Sequence, residues 1–445
     1  MTAERVLRTY LTLVVVSTGA SSMIWGINTV FLLDAGLSIG KTFAANAFFT
    51  VGMVLFEVPT GVVADTVGRR ASYLLGTATL IGTTLLYLLL WRMHAPFVWW
   101  AVVSALLGLG FTFFSGATEA WLVDGLHATG YRGSLDDAFA KGQVANGVAM
   151  MAGSIGGGVL AQFTNLGMPY VARAVLLTAT FVVAWRSMRD IGFTPKPRGS
   201  VRGELTGIVR ASLQYGLLNR RVRWVMLAGP FTAGVSVYGF YAAQPYLLQL
   251  YGHTNAYAVA GLSAGIIAAA QIAGGTTSPH LTRLFHSARP RERTPLPTSE
   301  RGFTPHPAPE RSGGAEPRIR MLIGTVLVSA VMIAALGLVS SFWMAVVLLM
   351  VWGSMFAAMS PVRQAYLNSH IPSEQRATVL SFDNLLGSAG GVVLQPTLGR
   401  TADAWGYGPA YLISAVIQLL AVPFLSLTRP KSLDATVEKP LALRA

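Results

Sequence analysis

The sequence predicts an all-α membrane protein: twelve transmembrane helices in two six-helix bundles related by a pseudo-twofold axis. Three observations predict it. Of 445 residues, 53% are hydrophobic and only 12% charged. Soluble domains carry roughly a quarter charged residues, so much of this surface faces lipid. Apolar stretches near the roughly 20 residues that a spanning helix needs recur twelve times. Between them, Lys and Arg collect in alternate connectors, as they do in membrane proteins.

The first stretch, 9–33, holds 25 uncharged residues. A cleaved signal segment has an apolar region of only about 7–15 residues, so this one is expected to be the first span. Three more follow at 42–64, 71–91 and 96–122, and then 139–165. The sixth, 168–188, is interrupted by Arg173 and Arg186, which leave 12 uncharged residues between them. Both arginines are expected to snorkel to opposite interfaces. Residues 224–282 contain no charged side chain, and the turn at Tyr251–Asn255 divides them into spans 223–250 and 256–280. Residues 321–362 are likewise uncharged, and Ser340-Ser341 separates 320–340 from 342–367. The last two spans are 376–401 and 407–428.

With the N-terminus inside, the inside segments hold 29 of the 33 basic residues and the outside segments hold 4. A missed or invented span would scramble that alternation. The expected organisation is a first bundle over 1–188, a basic cytoplasmic linker over 189–222, a second bundle over 223–428 and a cytoplasmic tail over 429–445. Within the second bundle, 281–319 contains seven prolines with many Arg, Ser and Gly, and predicts a disordered cytoplasmic loop. The net charge of +14 lies in connectors, not on an aromatic-studded face, so nucleic acid is not the expected partner. There is no cysteine, which excludes disulfides, iron–sulfur clusters and thiolate metal sites. The seven histidines show no metal-ligand spacing, so neither metal nor cofactor is expected.

A short internal repeat supports the two-bundle plan. Ser115-Gly-Ala-Thr-Glu-Ala-Trp-Leu122 ends the fourth span and Ser360-Pro-Val-Arg-Gln-Ala-Tyr-Leu367 ends the tenth. Each is followed by a span with a glycine cluster, Gly156–Gly158 and Gly390-Gly391. Copies six spans apart fit parallel repeats about an axis along the membrane normal. The glycines read as helix-packing positions.

Between spans two and three the chain reads Glu57-Val-Pro-Thr-Gly-Val-Val-Ala-Asp-Thr-Val-Gly-Arg-Arg70. Glu57, Gly61 and Asp65 are four apart and share one helix face. Gly61 has no side chain to hold a neighbouring helix away, and Gly68 suits a tight turn. The string resembles the loop signature of the major facilitator superfamily, through Gly61, Asp65, Gly68, Arg69 and Arg70. Thr66 departs, since the family usually has a basic residue there. The resemblance implies a secondary transporter whose gating motif joins the two halves. Asp65 would cap the head of span eleven near Pro372-Ser-Glu374, and Arg69 would pair with Asp124.

Ionisable residues inside a membrane are costly and are functional candidates. Glu57, Glu119 and Asp383 each lie five to seven residues from a helix end, where burial is expected to favour protonation and proton coupling. Glu119 and Arg363 occupy nearly equivalent places on spans four and ten, and an ion pair between them would close the cytoplasmic side. The resemblance implies a cavity lined by spans one, four, seven and ten. The cavity candidates are Trp25, Asn28, Phe111, Phe114, Tyr238, Tyr241, Gln244, Trp352 and Met355. Aromatics with few charges suit an amphipathic ligand.

The glycines Gly153-Ser-Ile-Gly-Gly-Gly158 partly match a signature of twelve-helix drug:proton antiporters, with Ser154 where they carry proline. The span-four arginine of those exporters is absent. The leading expectation is therefore proton-coupled efflux of an amphipathic small molecule by a monomer in the bacterial inner membrane. Uptake of a nutrient or siderophore, or a non-transporting receptor, are the alternatives. No nucleophile elbow, metal cluster or phosphate loop is present, so no enzymatic activity is expected.

Overall fold

The computed structural model describes residues 1–195, 203, 206–207, 210, 212–270, 315–372 and 375–428. Most of the predicted loop 281–319 and all of the tail 429–445 lie outside the described residues, as do Ser373 and Glu374.

Among the described residues, fifteen α-helices build the twelve spans. They are α1 (Ala3–Ser22), α2 (Asn28–Asp34), α3 (Ile39–Thr66), α4 (Arg69–Arg92), α5 (Phe97–Thr112), α6 (Ala117–Ala128), α7 (Leu135–Phe163) and α8 (Met168–Ser187). After the connector come α9 (Arg220–Tyr251), α10 (Tyr257–Ala270), α11 (Ala315–Leu338), α12 (Phe342–Asn368), α13 (Arg376–Trp405), α14 (Tyr407–Leu419) and α15 (Ala421–Ser426). Among the described residues, nine helical stretches are long and apolar enough to cross a membrane. The first span falls short because it is broken between α1 and α2, and the eighth because only α10 of it is described. The eleventh, α13, is not among the nine. Polar caps set several helix starts. Thr2, Ser38, Ser134 and Asn219 each accept a hydrogen bond from a first-turn backbone N–H. This is why α7 begins four residues before its apolar stretch.

In the first bundle α1 packs on α7 and α8, α4 on α5 and α8, and α3 on α5. In the second, α9 packs on α13, and α11 on α12 and α14. The bundles meet where α3 lies along α13 and where α7 crosses α10. At that second crossing, a Cβ on Gly158 would stand 2.7 Å from the Cα of Gly261. Close backbone approach of this kind needs glycine on both sides.

Three spans are broken, at α1–α2, α5–α6 and α14–α15; backbone groups at a break must be satisfied internally in a bilayer. Between α1 and α2 the chain turns over Met23–Ile27. Side chains at Gly153 and Gly157 of α7 would collide with Ser22 and with the Met23 carbonyl. Between α5 and α6, Gly116 adopts φ +66°, which costs a glycine little. The carbonyl of Phe113 at this break accepts from Ser72 Oγ at 2.7 Å.

The internal repeat reappears as tertiary structure. Gly157 on α7 seats the Met23 carbonyl of α1, and Gly390 on α13 seats the Pro230 carbonyl of α9. The two aligned aromatics hold the ends of the inter-bundle connector. Trp121 Nε1 donates to the carbonyl of Arg189 at 2.8 Å, and Tyr366 Oη donates to that of Arg221 at 3.3 Å. Both rings are buried.

Candidate functional site: a cavity between two bundles

One end of the molecule carries the N-terminus, Arg69 and Arg70, and is called here the basic end. The opposite, distal end carries Asp34, His94 and Gly252. Among the described residues, hydrogen bonds between the bundles cluster at the distal end. Gln244 of α9 is fully buried there. Its Nε2 donates to the Trp25 carbonyl at 2.6 Å, and its Oε1 accepts from Thr29 N at 3.0 Å. Thr29 Oγ1 donates to the Tyr241 carbonyl at 3.0 Å. At the foot of α13, the Asp403 carboxylate accepts from the backbone N–H groups of Ile39 and Gly40, at 2.8 and 2.7 Å. An anion at the free N–H groups of a helix start is a favourable cap.

Beneath this seal lies a cavity of about 360 Å³, lined from both bundles. Phe49, Thr50 and Met53 come from α3, Tyr241 and Phe240 from α9, and Trp352 and Phe356 from α12. A second cavity of about 260 Å³ is cut into the first bundle, between Trp25, Tyr73, Phe111 and Phe114, with Glu119 and Asn146 on its wall. Phe111 packs edge-on against Phe49, with ring centroids 5.5 Å apart, so one aromatic pair stands between the two cavities. The lining is mostly rings and methyls with a few polar groups, the surface expected for a ligand with a large apolar body.

Of the cavity candidates read from sequence, Trp25, Phe111, Phe114, Tyr241 and Trp352 line these spaces. Four others are placed differently. Tyr238 is fully buried between Phe43 and Tyr411. Asn28 is buried in a chain of side chains, donating to Asn46 Oδ1 at 2.9 Å and accepting from Tyr170 at 3.0 Å. Gln244 belongs to the distal seal, and Met355 is half-buried beside the lining residue Phe356. The spans came from the family resemblance, and α3, which it did not include, also lines the larger cavity. The rotation of each helix, which decides its inward face, is set by packing.

The embedded charges also rearrange. Arg363 does not pair with Glu119. It makes a two-pronged ion pair with Asp383 of α13, in which Nη2 lies 2.6 Å from Oδ1 and Nη1 contacts Oδ2. Its Nη2 also donates to the Val225 carbonyl at 3.3 Å. Gly229 makes the room, since a Cβ there would lie 2.8 Å from Nη2. Asp383 is 3% exposed, so the pair is largely withdrawn from solvent and its charges balance locally. Glu119, expected to be buried, is exposed within the first-bundle cavity. Glu57 is half-buried and accepts from Ser115 Oγ at 2.6 Å.

At the basic hairpin, Arg69 pairs with Asp65 at 2.5 Å, not with Asp124, and its guanidinium lies 5.7 Å from the Phe193 ring centre. The carboxylate that receives this hairpin is Asp190, just beyond α8. Its Oδ1 accepts from Arg70 N at 2.9 Å, while Arg70 Nη2 donates to the Trp185 carbonyl at 2.7 Å. Gly68 has φ +132°, and a side chain on it would collide with Asp190. Gly61 is exposed, and among the described residues nothing lies within 4 Å of a Cβ there. Burial raises the Asp190 carboxyl above its ordinary value of 3.8, and the Arg70 backbone N–H and the cationic Arg70 and Arg69 side chains partly offset this. Sequence reasoning passed over Asp190 and Asp403 because neither lies in a motif or deep in an apolar stretch. Arg173 was read as snorkelling. It is 1% exposed, whereas Arg186 on the same helix is exposed.

No curated protein matches the chain. Among solved structures, the crystal structure of the nucleoside transporter NupG superposes with a TM-score of 0.73 at 11% identity, covering 96% of this chain and 100% of that one. A bacterial homolog of the human lysosomal transporter Spinster, inward-facing and unoccupied, gives 0.69 at 16% identity, covering 96% of both chains. A POT family transporter in complex with 5-aminolevulinic acid gives 0.65 at 13% identity, covering 95% of both. These likenesses are of fold. The sequence model of the Major Facilitator Superfamily matches residues 10–297 and 314–442, a span that takes in both bundles and the cavity between them. The chain therefore belongs to the Major Facilitator Superfamily of membrane transporters.

Proposed function

We propose that the protein exports amphipathic small molecules across a bacterial inner membrane by alternating access, as a monomer driven by the proton gradient. The observation that carries the reading is the cavity of about 360 Å³ that both bundles line with rings and methyls, sealed at the distal end. Lys and Arg stay on the cytoplasmic side of membrane proteins, so the basic end is assigned to the cytoplasm. The conformation is then the one that admits cargo from inside. Rocking of the bundles about the cavity would break the distal seal and close the basic end. There, the motif from Gly61 to Arg70 is assigned to gating between the bundles.

Glu119 and Glu57 are the candidates for carrying the coupled proton. Glu119 faces the first-bundle cavity, and Glu57 stands beside the α5–α6 break, where its environment changes as the bundles move. Arg363 and Asp383, already paired, are assigned to fixing α12 against α13. The domain limits follow the two bundles, with 189–222 as the connector.

The test is accumulation of fluorescent amphipaths in cells with and without expression. Export lowers accumulation, and an uncoupler restores it. Higher accumulation on expression would support the uptake reading instead, and unchanged accumulation of a cationic, a neutral and an anionic dye would remove both.

A further inference from the structure

Arg173 stands one turn into α8 from the distal end, in the wall of the first bundle. Its side chain is 1% exposed. The ion pairs among the described residues are Arg8–Glu4, Arg69–Asp65 and Arg363–Asp383, so no described carboxylate neutralises Arg173. The groups near enough to act on it electrostatically are the phenols of Tyr170, Tyr87 and Tyr241. Two of those are already engaged, Tyr170 with Asn28 and Tyr87 with Ser104. Its Nε and Nη2 are buried without a hydrogen-bond partner. A permanent cation held away from water with its donors unused is strongly unfavourable unless another state of the protein gives it an anion.

The geometry of the unused donors narrows the anion. Nε and Nη2 form one edge of the guanidinium, with two parallel N–H groups. That edge matches the two oxygens of a carboxylate. Tyr241 connects the edge to the cavity: it is among the three phenols near Arg173, and it lines the 360 Å³ space. It belongs to the opposite bundle, and its carbonyl accepts from Thr29 Oγ1 of the first. When the distal seal parts, Tyr241 leaves with the second bundle.

We infer that Arg173 binds the carboxylate of an amphipathic anion whose apolar body occupies the aromatic cavity, in the conformation with the distal seal open. The inference rests on the amphipath reading above and narrows it to organic acids. The anion takes the place beside Arg173 that Tyr241 holds in the sealed conformation. Its differential affinity for the two conformations then shifts their populations toward the open one.

The test uses the full chain in lipid nanodiscs and three probes of one shape: 4-phenylbutyrate, 4-phenylbutanamide and 4-phenylbutylamine. Equilibrium dialysis measures each affinity. The acid is expected to bind about tenfold more tightly than the amide, the preference a charge-assisted fork supplies. Arg173→Gln should lower the acid to the level of the amide and leave the amide unchanged, which also shows that the variant is folded. Arg173→Lys, which keeps the charge and loses the fork, should retain part of the preference. Arg186→Gln, on the exposed part of the same helix, should retain all of it. Equal binding of acid and amide by the parent chain, or an undiminished acid preference in Arg173→Gln, overturns the inference while leaving the amphipath reading intact. Binding of none of the three probes overturns both.

Discussion

Asp403 sits outside every motif, yet its carboxylate accepts from both Ile39 N and Gly40 N, and so joins the foot of α13 to the head of α3. Asp403→Ala removes that cap. Loss of an N-cap costs about 1 kcal/mol, and a charge at an exposed helix start adds about 0.3–1 kcal/mol before screening. Asp403 is exposed, so the lower end applies and the distal-sealed conformation should lose about 1 kcal/mol relative to the distal-open one. At 1.4 kcal/mol per tenfold, the ratio of the two populations moves by about fivefold. The chain has no cysteine, so single spin-label sites can be introduced directly. Labels at His94→Cys and Ser340→Cys, exposed residues in distal turns of opposite bundles, report the opening as a distance distribution in lipid nanodiscs. Asp403→Ala should raise the ratio of the long-distance to the short-distance component about fivefold, and Asp403→Asn should fall between. An unchanged distribution in Asp403→Ala would refute the assignment of this cap to the seal.

Four further outcomes follow from the same contacts. Gly157→Leu should prevent folding or lower thermal stability severely, because its side chain would run into the Met23 carbonyl, whereas Gly61→Ala should be tolerated in this conformation. Detergent-extracted yield and melting temperature separate the two. Asp383→Leu strands a buried guanidinium and should cost about 3–5 kcal/mol, while the double variant Arg363→Met with Asp383→Leu should recover most of that loss in a thermal-shift assay. The Asp190 carboxyl is raised above 3.8 by burial, so the folded protein holds its proton more tightly than the unfolded chain. Stability contributed by this group is then greatest below 3.8 and is lost as pH rises through the raised value; Asp190→Asn should flatten that part of the melting-temperature profile. Trp352→Ala should weaken binding of a neutral amphipath by about tenfold, through loss of one large cavity-lining ring.

The elements that the sequence determined by itself are those governed by local rules. An oily run near 20 residues must become a helix in lipid, because no water is there to satisfy its backbone. Among the described residues, helices fall on all twelve runs for that reason, the eighth over Tyr257–Ala270. The relation between the bundles was legible too, because the Ser115 and Ser360 segments carry it as residues in register. Even there, local sequence missed that Gly116 and the Met23–Ile27 stretch break their helices, since such breaks are stabilised by partners such as Ser72 and Gly157 on other spans.

Partner choice was the part that only the tertiary structure decided. Arg363 takes Asp383 rather than Glu119, and the basic hairpin finds Asp190 beyond Asp65. Residues 20 to 120 positions apart are brought together by the rotation and depth of each helix. Those follow from side-chain and glycine packing across the whole bundle, which no single span encodes. Arg173 shows the limit most plainly: near a helix end it reads as a snorkelling cation, and only the packing of α8 against its neighbours turns it inward.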